Sequence, residues 1–299
     1  MITNKTNIRA ICLALLAAAL YALNAPASKL LLRETAPTML AALLYLGAGA
    51  GMAVVGLVRK ARGKTKEVEK LTKKELPYTM GMILLDIAAP VLLMVGLSLT
   101  TAENAALLNN FEIVATALIA LLLFRERISL KLWLAIGLIT VSSILLSVED
   151  AGSLSFSLGS VFVLLACLCW GLENNCTRKL SVKDPLQIVV VKGFGSGFGS
   201  LCIAFAVEET LPGLSAVLLS LLLGFVAYGL SIYFYVTAQR TLGAAKTSAY
   251  YAVAPFIGAG LSLLIFQDHP AVMFWIALGL MAAGAALATV DSMKAGQGE

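Results

Sequence analysis

The 299 residues carry a formal net charge of +5, yet 60% of them are hydrophobic and only 13% are charged, about half the charged share of a water-soluble domain. That composition excludes a water-soluble fold for most of the chain. Apolar runs of about twenty residues recur from end to end, each long enough at about 1.5 Å per residue to cross a hydrocarbon core of roughly 30 Å.

Ten helical spans are predicted, and the chain is expected to be an all-α membrane protein. A β-barrel is excluded, because these runs are continuous and rich in Leu and Ala rather than alternating over about ten residues. Span 1, Ala10 to Leu32, carries Tyr21, Asn24 and Ser28 at helical spacing, and Pro26. Lys5 and Arg9 before it and small residues at Ala25 and Ala27 also fit a signal peptide, but the run is long for one and the charge count below works best with span 1 retained. Span 2, Thr38 to Val58, holds Gly47-x-x-x-Gly51, a spacing that lets helices pack closely, with hinging as the alternative. A basic connection, Arg59 to Lys74, follows. Span 3, Leu76 to Leu97, contains Asp86 and Pro90, and span 4, Ala102 to Phe124, contains Asn109 and Glu112 about a turn apart. Span 5 runs from Leu130 to Val148.

Span 6, Leu158 to Leu180, places Trp170, Glu173, Asn174 and Thr177 at i, i+3, i+4 and i+7. A lipid-facing surface would not carry that stripe. Span 7, Leu186 to Val207, holds Lys192 together with Gly193, Gly195, Gly197 and Gly199. Span 8, Leu214 to Ala238, repeats the polar and aromatic device with Tyr228, Ser231 and Tyr235, continuing to Gln239. Span 9, Gly243 to Phe266, carries Tyr250, Tyr251 and Pro255, and span 10 runs from Ala271 to Val290. Pro26, Pro90 and Pro255 are expected to kink their helices.

With a cytoplasmic N-terminus, nineteen of the 22 Lys and Arg residues fall in cytoplasmic segments, while Lys29, Arg33 and Lys192 do not. Glu34, Glu103, Glu149, Asp150, Glu208, Glu209 and Asp268 fall on the opposite side. This is the positive-inside pattern, with both termini cytoplasmic. The basic connection therefore serves topology and anionic headgroups rather than nucleic acid. Cys12, Cys167, Cys169, Cys176 and Cys202 lie inside spans without metal-ligand spacing, and His269 is the only histidine. Neither a metal nor a cofactor is expected.

The chain also resembles itself. Trp133-Leu-Ala-Ile-Gly137 matches Trp275-Ile-Ala-Leu-Gly279 at an offset of 142, which also pairs Glu126 with Asp268. Gly47, Gly49 and Gly51 match Gly195, Gly197 and Gly199 at an offset of 148, and Asn24 and Lys29 match Asn174 and Lys179 at 150. Two domains are expected, residues 1–150 and 151–299. A five-helix unit crosses the membrane an odd number of times, so the second copy enters from the opposite side and the repeats are inverted, a plan that puts a solute site near the midplane.

The stretch Ala105-Ala-Leu-Leu-Asn-Asn-Phe-Glu112-Ile-Val and the following Leu121-Leu-Leu-Phe-Arg-Glu126-Arg resemble span 4 and the turn into span 5 of the EamA-type members of the drug/metabolite transporter superfamily. Ala254-Pro255-Phe256 and Gln267-Asp268 take their place in the second half. The resemblance covers the whole chain and is greatest to bacterial exporters of aromatic amino acids and related metabolites. It implies a central cavity lined by spans 1, 3, 4, 6, 8 and 9, spans 5 and 10 at the periphery, and residence in a bacterial inner membrane.

Charged groups in a bilayer interior cost roughly 2.5 to 3.5 kcal/mol each on insertion scales, so Asp86, Glu112, Glu173 and Lys192 need partners or water. Glu173 and Lys192 are expected to neutralise one another across spans 6 and 7. A zwitterionic solute needs an acceptor for its ammonium, donors for its carboxylate and an apolar wall. Glu173 or Glu112 is the expected ammonium acceptor; Asn24, Asn109 and Asn174 orient the polar head; Trp170, Tyr228, Tyr250 and Tyr251 pack the side chain, with Tyr21, Asp86, Ser231 and Tyr235 completing the cavity. Interhelical hydrogen bonding is the plainer account of any one polar stripe.

The expected function is export of amino acids and related metabolites by alternating access, from a chain that works as a monomer. The buried carboxylates are able to relay protons or to bind the solute. A cationic-drug exporter is the alternative. A sugar-phosphate carrier would need more cavity cations than Lys192, and a membrane enzyme would need catalytic motifs that the chain lacks.

Overall fold

The structure, a computed structural model, describes residues 2–63, 69–124, 128–150, 155–180, 183–242, 247 and 250–295. Glu126 and the arginines beside it lie outside these residues, as do the side chains of Glu149, Asp150, Lys179 and Gln239. Among the described residues nine helices are long and apolar enough to cross a membrane, and a shorter apolar helix, Ala254–Phe266, lies in span 9. The expected helical membrane fold is therefore present. A small antiparallel pairing of Val148–Asp150 with Ser155–Phe156 links spans 5 and 6.

Five spans are single helices over most of their length: Pro37–Ala61 for span 2, Leu76–Leu99 for span 3, Leu130–Ser147 for span 5, Leu158–Leu180 for span 6 and Pro185–Ala206 for span 7. Span 10 is Val272–Ala295. Pro37 and Pro185 begin their helices where a missing N–H costs nothing, and Pro90 is accommodated inside span 3.

Span 1 is instead two helices, Ile2–Ala22 and Asn24–Leu31. Pro26 has no N–H to offer the Ala22 carbonyl, and the ladder breaks at Leu23. Span 4 is likewise two helices, Ala102–Leu108 and Phe111–Phe124. At the join the backbone tightens: Asn110 N donates to Leu107 O at 3.0 Å and Glu112 N to Asn109 O at 3.1 Å, while Asn110 Nδ2 also donates to Leu107 O. An asparagine side chain competing for a backbone carbonyl is a local alternative to the regular helix. The single uninterrupted span 4 expected from the sequence is thus corrected, and Glu112 stands in the first turn of the second piece. Span 9 turns at residues 252–253 before Ala254–Phe266 starts with Pro255 in its first turn. Span 8 runs Leu214–Leu223, then a π-helical stretch Gly224–Leu230, then Ser231–Leu242.

The spans pack chiefly as 3 with 6, 2 with 7, 2 with 8, 5 with 10, 1 with 8, 4 with 6 and 4 with 9. Spans 2 and 7 cross closely. A methyl on Gly49 would meet the Phe194 backbone nitrogen at 2.9 Å, and one on Gly197 would meet that of Leu46 at 2.8 Å. Spans 5 and 10 pack on each other and expose Trp133, Leu134, Trp275 and Ile276, as lipid-facing helices do.

Candidate solute site

Three of the interrupted spans break at one level. Tyr21, Ala22, Asn24 and Ala25 at the span 1 break, Ala106 and Asn109 at the span 4 break, and Ala254, Pro255 and Gly258 at the start of the span 9 helix surround one cavity. It holds no more than about one water. Spans 1, 4 and 9 line it, three of the six that the resemblance implies; polar residues of spans 3 and 6 are instead paired with those of neighbouring spans.

The largest such pairing joins spans 2, 3, 6 and 7. Lys192 Nζ lies 2.9 Å from Asp86 Oδ2 and 3.2 Å from Glu173 Oε1. Asp86 Oδ1 accepts from the Tyr45 hydroxyl at 3.1 Å, and Thr177 Oγ1 donates to Glu173. Asp86 is fully buried. The expected Glu173–Lys192 pair is present but is one arm of a triad. Two carboxylates around one ammonium satisfy its donors better than a single partner would.

Glu112 belongs to a second pairing. Its Oε1 accepts from Asn174 Nδ2 at 2.6 Å, and the same Asn174 nitrogen donates to Thr116 Oγ1 at 3.3 Å. Asn175 Nδ2 donates to the Thr116 and Gly171 carbonyls. No cation stands within ion-pair distance of Glu112 among the described residues. The Cys167 thiol reaches the Leu108 carbonyl, 3.5 Å away, which the break in span 4 leaves without a helical partner. Asn109 faces the cavity while Glu112 faces Asn174, so these two residues do not share one surface as their spacing suggested.

Rings link the two regions. Tyr21 meets Tyr228 edge-on and Tyr251 at a tilt, each with centroids 5.9 Å apart, and Tyr235 meets Tyr251 at 5.0 Å. Tyr228 in turn lies 5.2 Å from Tyr45, whose hydroxyl is on Asp86. Ser231 Oγ donates to the Ala17 carbonyl at 2.9 Å and lies 3.3 Å from the Tyr251 hydroxyl. Trp170 is buried in the same core. Tyr250, half-buried, joins none of these ring pairs among the described residues. Two buried polar atoms near each other, Asn24 Nδ2 and the Tyr228 hydroxyl, make no hydrogen bond of ordinary geometry among the described residues.

Tyr45 and Thr116 escaped the sequence reading. Tyr45 is a lone tyrosine in an apolar helix, and Thr116 sits one helical turn after Glu112, where that spacing was the available signal.

The EamA-like transporter family model matches this chain twice, over residues 8–148 and 157–290. An uncharacterized transporter from Methanothermobacter thermautotrophicus is 28% identical over 270 residues, covering 85% of this chain and 78% of that protein. The uncharacterized transporter YyaM of Bacillus subtilis is 25% identical over 231 residues, covering 72% of this chain and 74% of its own. A crystal structure of another chain, 20% identical, superposes with a TM-score of 0.68 over 95% of this chain and 97% of that one, which shows a shared fold. The matches span nearly all of the membrane helices and both sets of buried polar residues, and the chain is a multi-pass membrane protein of the EamA-like transporter family.

Proposed function

We propose that this transporter exports amino acids, aromatic ones among them, and related amines, by alternating access between two inverted five-helix halves. The observation that carries the reading is the meeting of three interrupted spans beside a carboxylate that lacks a cation. Broken helices at mid-membrane expose backbone groups to a guest, as in carriers generally. Glu112 accepts the solute ammonium, Asn24, Asn109 and Asn174 orient its polar head, and Tyr21, Tyr228, Tyr251 and Trp170 form the wall. Tyr235 and Ser231 hold Tyr251 in place, and Tyr250 lies beyond this wall.

Support for the halves, residues 1–150 and 151–299, comes from the packing. Exchanging each span n with span n+5 carries each of the chief pairings onto one that is also made: 2 with 7, 4 with 9 and 5 with 10 are their own images, 3 with 6 becomes 8 with 1, 2 with 8 becomes 7 with 3, and 4 with 6 becomes 9 with 1. Individual contacts repeat in the same way. Ser142 donates to the Ala277 carbonyl, and a methyl on Gly284 would reach that of Ala135; both are the same contact at an offset of 142. The twice-matching family model divides the chain near the same place. Both termini are then cytoplasmic in a bacterial inner membrane, and a single chain holds the whole pathway.

The site has a surplus of carboxylates, which also suits a cationic drug. A counterflow panel of amino acids, sugars, nucleosides and cationic drugs on reconstituted protein decides between them. Exchange of phenylalanine, tyrosine or tryptophan supports the amino-acid reading, and exchange confined to the drugs replaces it. A blank panel from folded protein overturns both.

A further inference from the structure

The Asp86–Lys192–Glu173 triad joins the two halves, and the symmetry-related junction has no equivalent of it, a fact that rests on the two-half reading just given. Gly195 packs on Ile83 as Gly47 packs on Leu221, and Gly199 on Ile87 as Gly51 on Phe225. These reciprocal contacts pair spans 2 and 7 at an offset of 148 and spans 3 and 8 at an offset of 138. Asp86 then corresponds to Gly224 and Lys192 to Leu44. Those two residues also touch: a methyl on Gly224 would fall on the Leu44 carbonyl at 1.9 Å. With Asn174 matched to Asn24, Glu173 corresponds to Leu23. The symmetry-related junction therefore makes the same helix crossing with a glycine against a backbone and no charge, so the crossing geometry by itself does not call for the triad.

What the triad offers is a second position for an ammonium ion. Glu112 provides the first, without a cation among the described residues, and it lies within electrostatic reach of both Glu173 and Lys192. Asn174 bonds to Glu112 and follows Glu173 directly in span 6, so the two positions are adjacent. The second is filled by the chain itself, since Lys192 Nζ sits between Asp86 and Glu173 on a four-carbon tether. The Tyr45 hydroxyl completes its rim.

We infer that Lys192 is the specificity-determining residue for solute charge: its ammonium occupies the second cation position, so the site takes one ammonium from the solute, at Glu112, and gains room for a diamine when Lys192 is removed. The class admitted by Lys192→Met is the short alkyl diamine, whose second ammonium replaces the lost one against Asp86 and Glu173. Lys192→Arg keeps the position filled. The double variant Lys192→Met/Asp86→Asn removes one of the two carboxylates that make it.

The test compares counterflow of 1,5-diaminopentane with that of a single-amine solute moved by the wild type. The diamine-to-monoamine ratio should rise at least about tenfold in Lys192→Met, stay at the wild-type value in Lys192→Arg, and fall back in the double variant. An unchanged ratio in folded Lys192→Met, or an equal rise in Lys192→Arg, overturns the proposal. Should Lys192→Met lose its fold, n-butylamine during purification should restore the folded fraction, and failure to do so also overturns it. A wild type that moves no amine would sink the amine-carrier reading alone, because stabilisation of Lys192→Met by n-butylamine, read as a rise in melting midpoint, reports on the second position without transport.

Discussion

Glu112 and Asp86 are both carboxylates buried in mid-membrane, but their neighbours give them different work. Asp86 is closed in by Lys192 and Tyr45, whereas Glu112 has only amide and hydroxyl partners in Asn174 and, through it, Thr116. Breaking a buried ion pair from one side leaves a stranded charge and costs about 3–5 kcal/mol. Asp86→Asn should therefore lower the melting midpoint of the purified protein clearly, although Lys192 keeps Glu173. Glu112→Gln should leave the midpoint near the wild type, because Gln retains an acceptor for Asn174, yet reduce counterflow at least about tenfold by removing the charge that meets the ammonium. Measured together, these midpoints and rates separate a structural carboxylate from a binding one.

At the scale of elements, a few polar contacts tie helix ends together on each side of the bundle. On the side away from the basic connection, Lys29 Nζ donates to the Leu97 and Thr100 carbonyls at 2.6 and 2.5 Å, where the end of span 3 presents free acceptors. The Glu209 carboxylate accepts from the Thr38 and Met39 N–H groups at the start of span 2, at 3.2 and 2.6 Å. On the basic side, Lys183 pairs with Glu69 at 3.0 Å and Glu75 at 3.4 Å, Gln187 accepts from Leu71 N, and Ser129 donates to Asp291. The Glu69 hydrogen bond holds the Lys183 ammonium above its ordinary pKa, so this contact persists through neutral pH. Lys29→Met should raise labelling of a cysteine placed at Asn24 by an impermeant thiol reagent added on the side of the membrane where Lys29 lies. Lys183→Met should raise labelling at Thr177→Cys by the reagent added on the side of the basic connection. Equal labelling in parent and variant would show that these contacts do not hold the helix ends together. The helix crossing behind them is less tolerant: a methyl on Gly193 would come within 2.4 Å of Gly49 N, and Gly193→Ala should cost about 1–3 kcal/mol, seen as a lower melting midpoint.

The sequence disclosed some of these elements better than others. Pro26 and Pro255 marked two of the three breaks, because a missing N–H is a local fact. The break at Asn109 and Asn110 was hidden, since two asparagines in an apolar run look like part of a polar stripe until Asn110 Nδ2 is seen competing for the Leu107 carbonyl. Glu173 and Lys192 were legible as a pair from their need for neutralisation. Asp86 as the third member was not, because no spacing rule connects span 3 to span 7; the contact depends on packing between helices far apart in the chain.

Across the whole molecule, polar contacts tie the helix ends on both sides, and a small cavity lies between spans 1, 4 and 9 at Tyr21, Asn24 and Asn109. In the two-half account proposed above, one half opens as the other closes, and the triad stands at only one of the two symmetry-related junctions. The most direct test of this account is counterflow of labelled phenylalanine and tryptophan into sealed vesicles containing the purified protein, with Glu112→Gln alongside. The account predicts saturable exchange by the wild type and a loss of at least about tenfold in a folded Glu112→Gln protein. Wild-type exchange that Glu112→Gln matches in rate and saturation would contradict it.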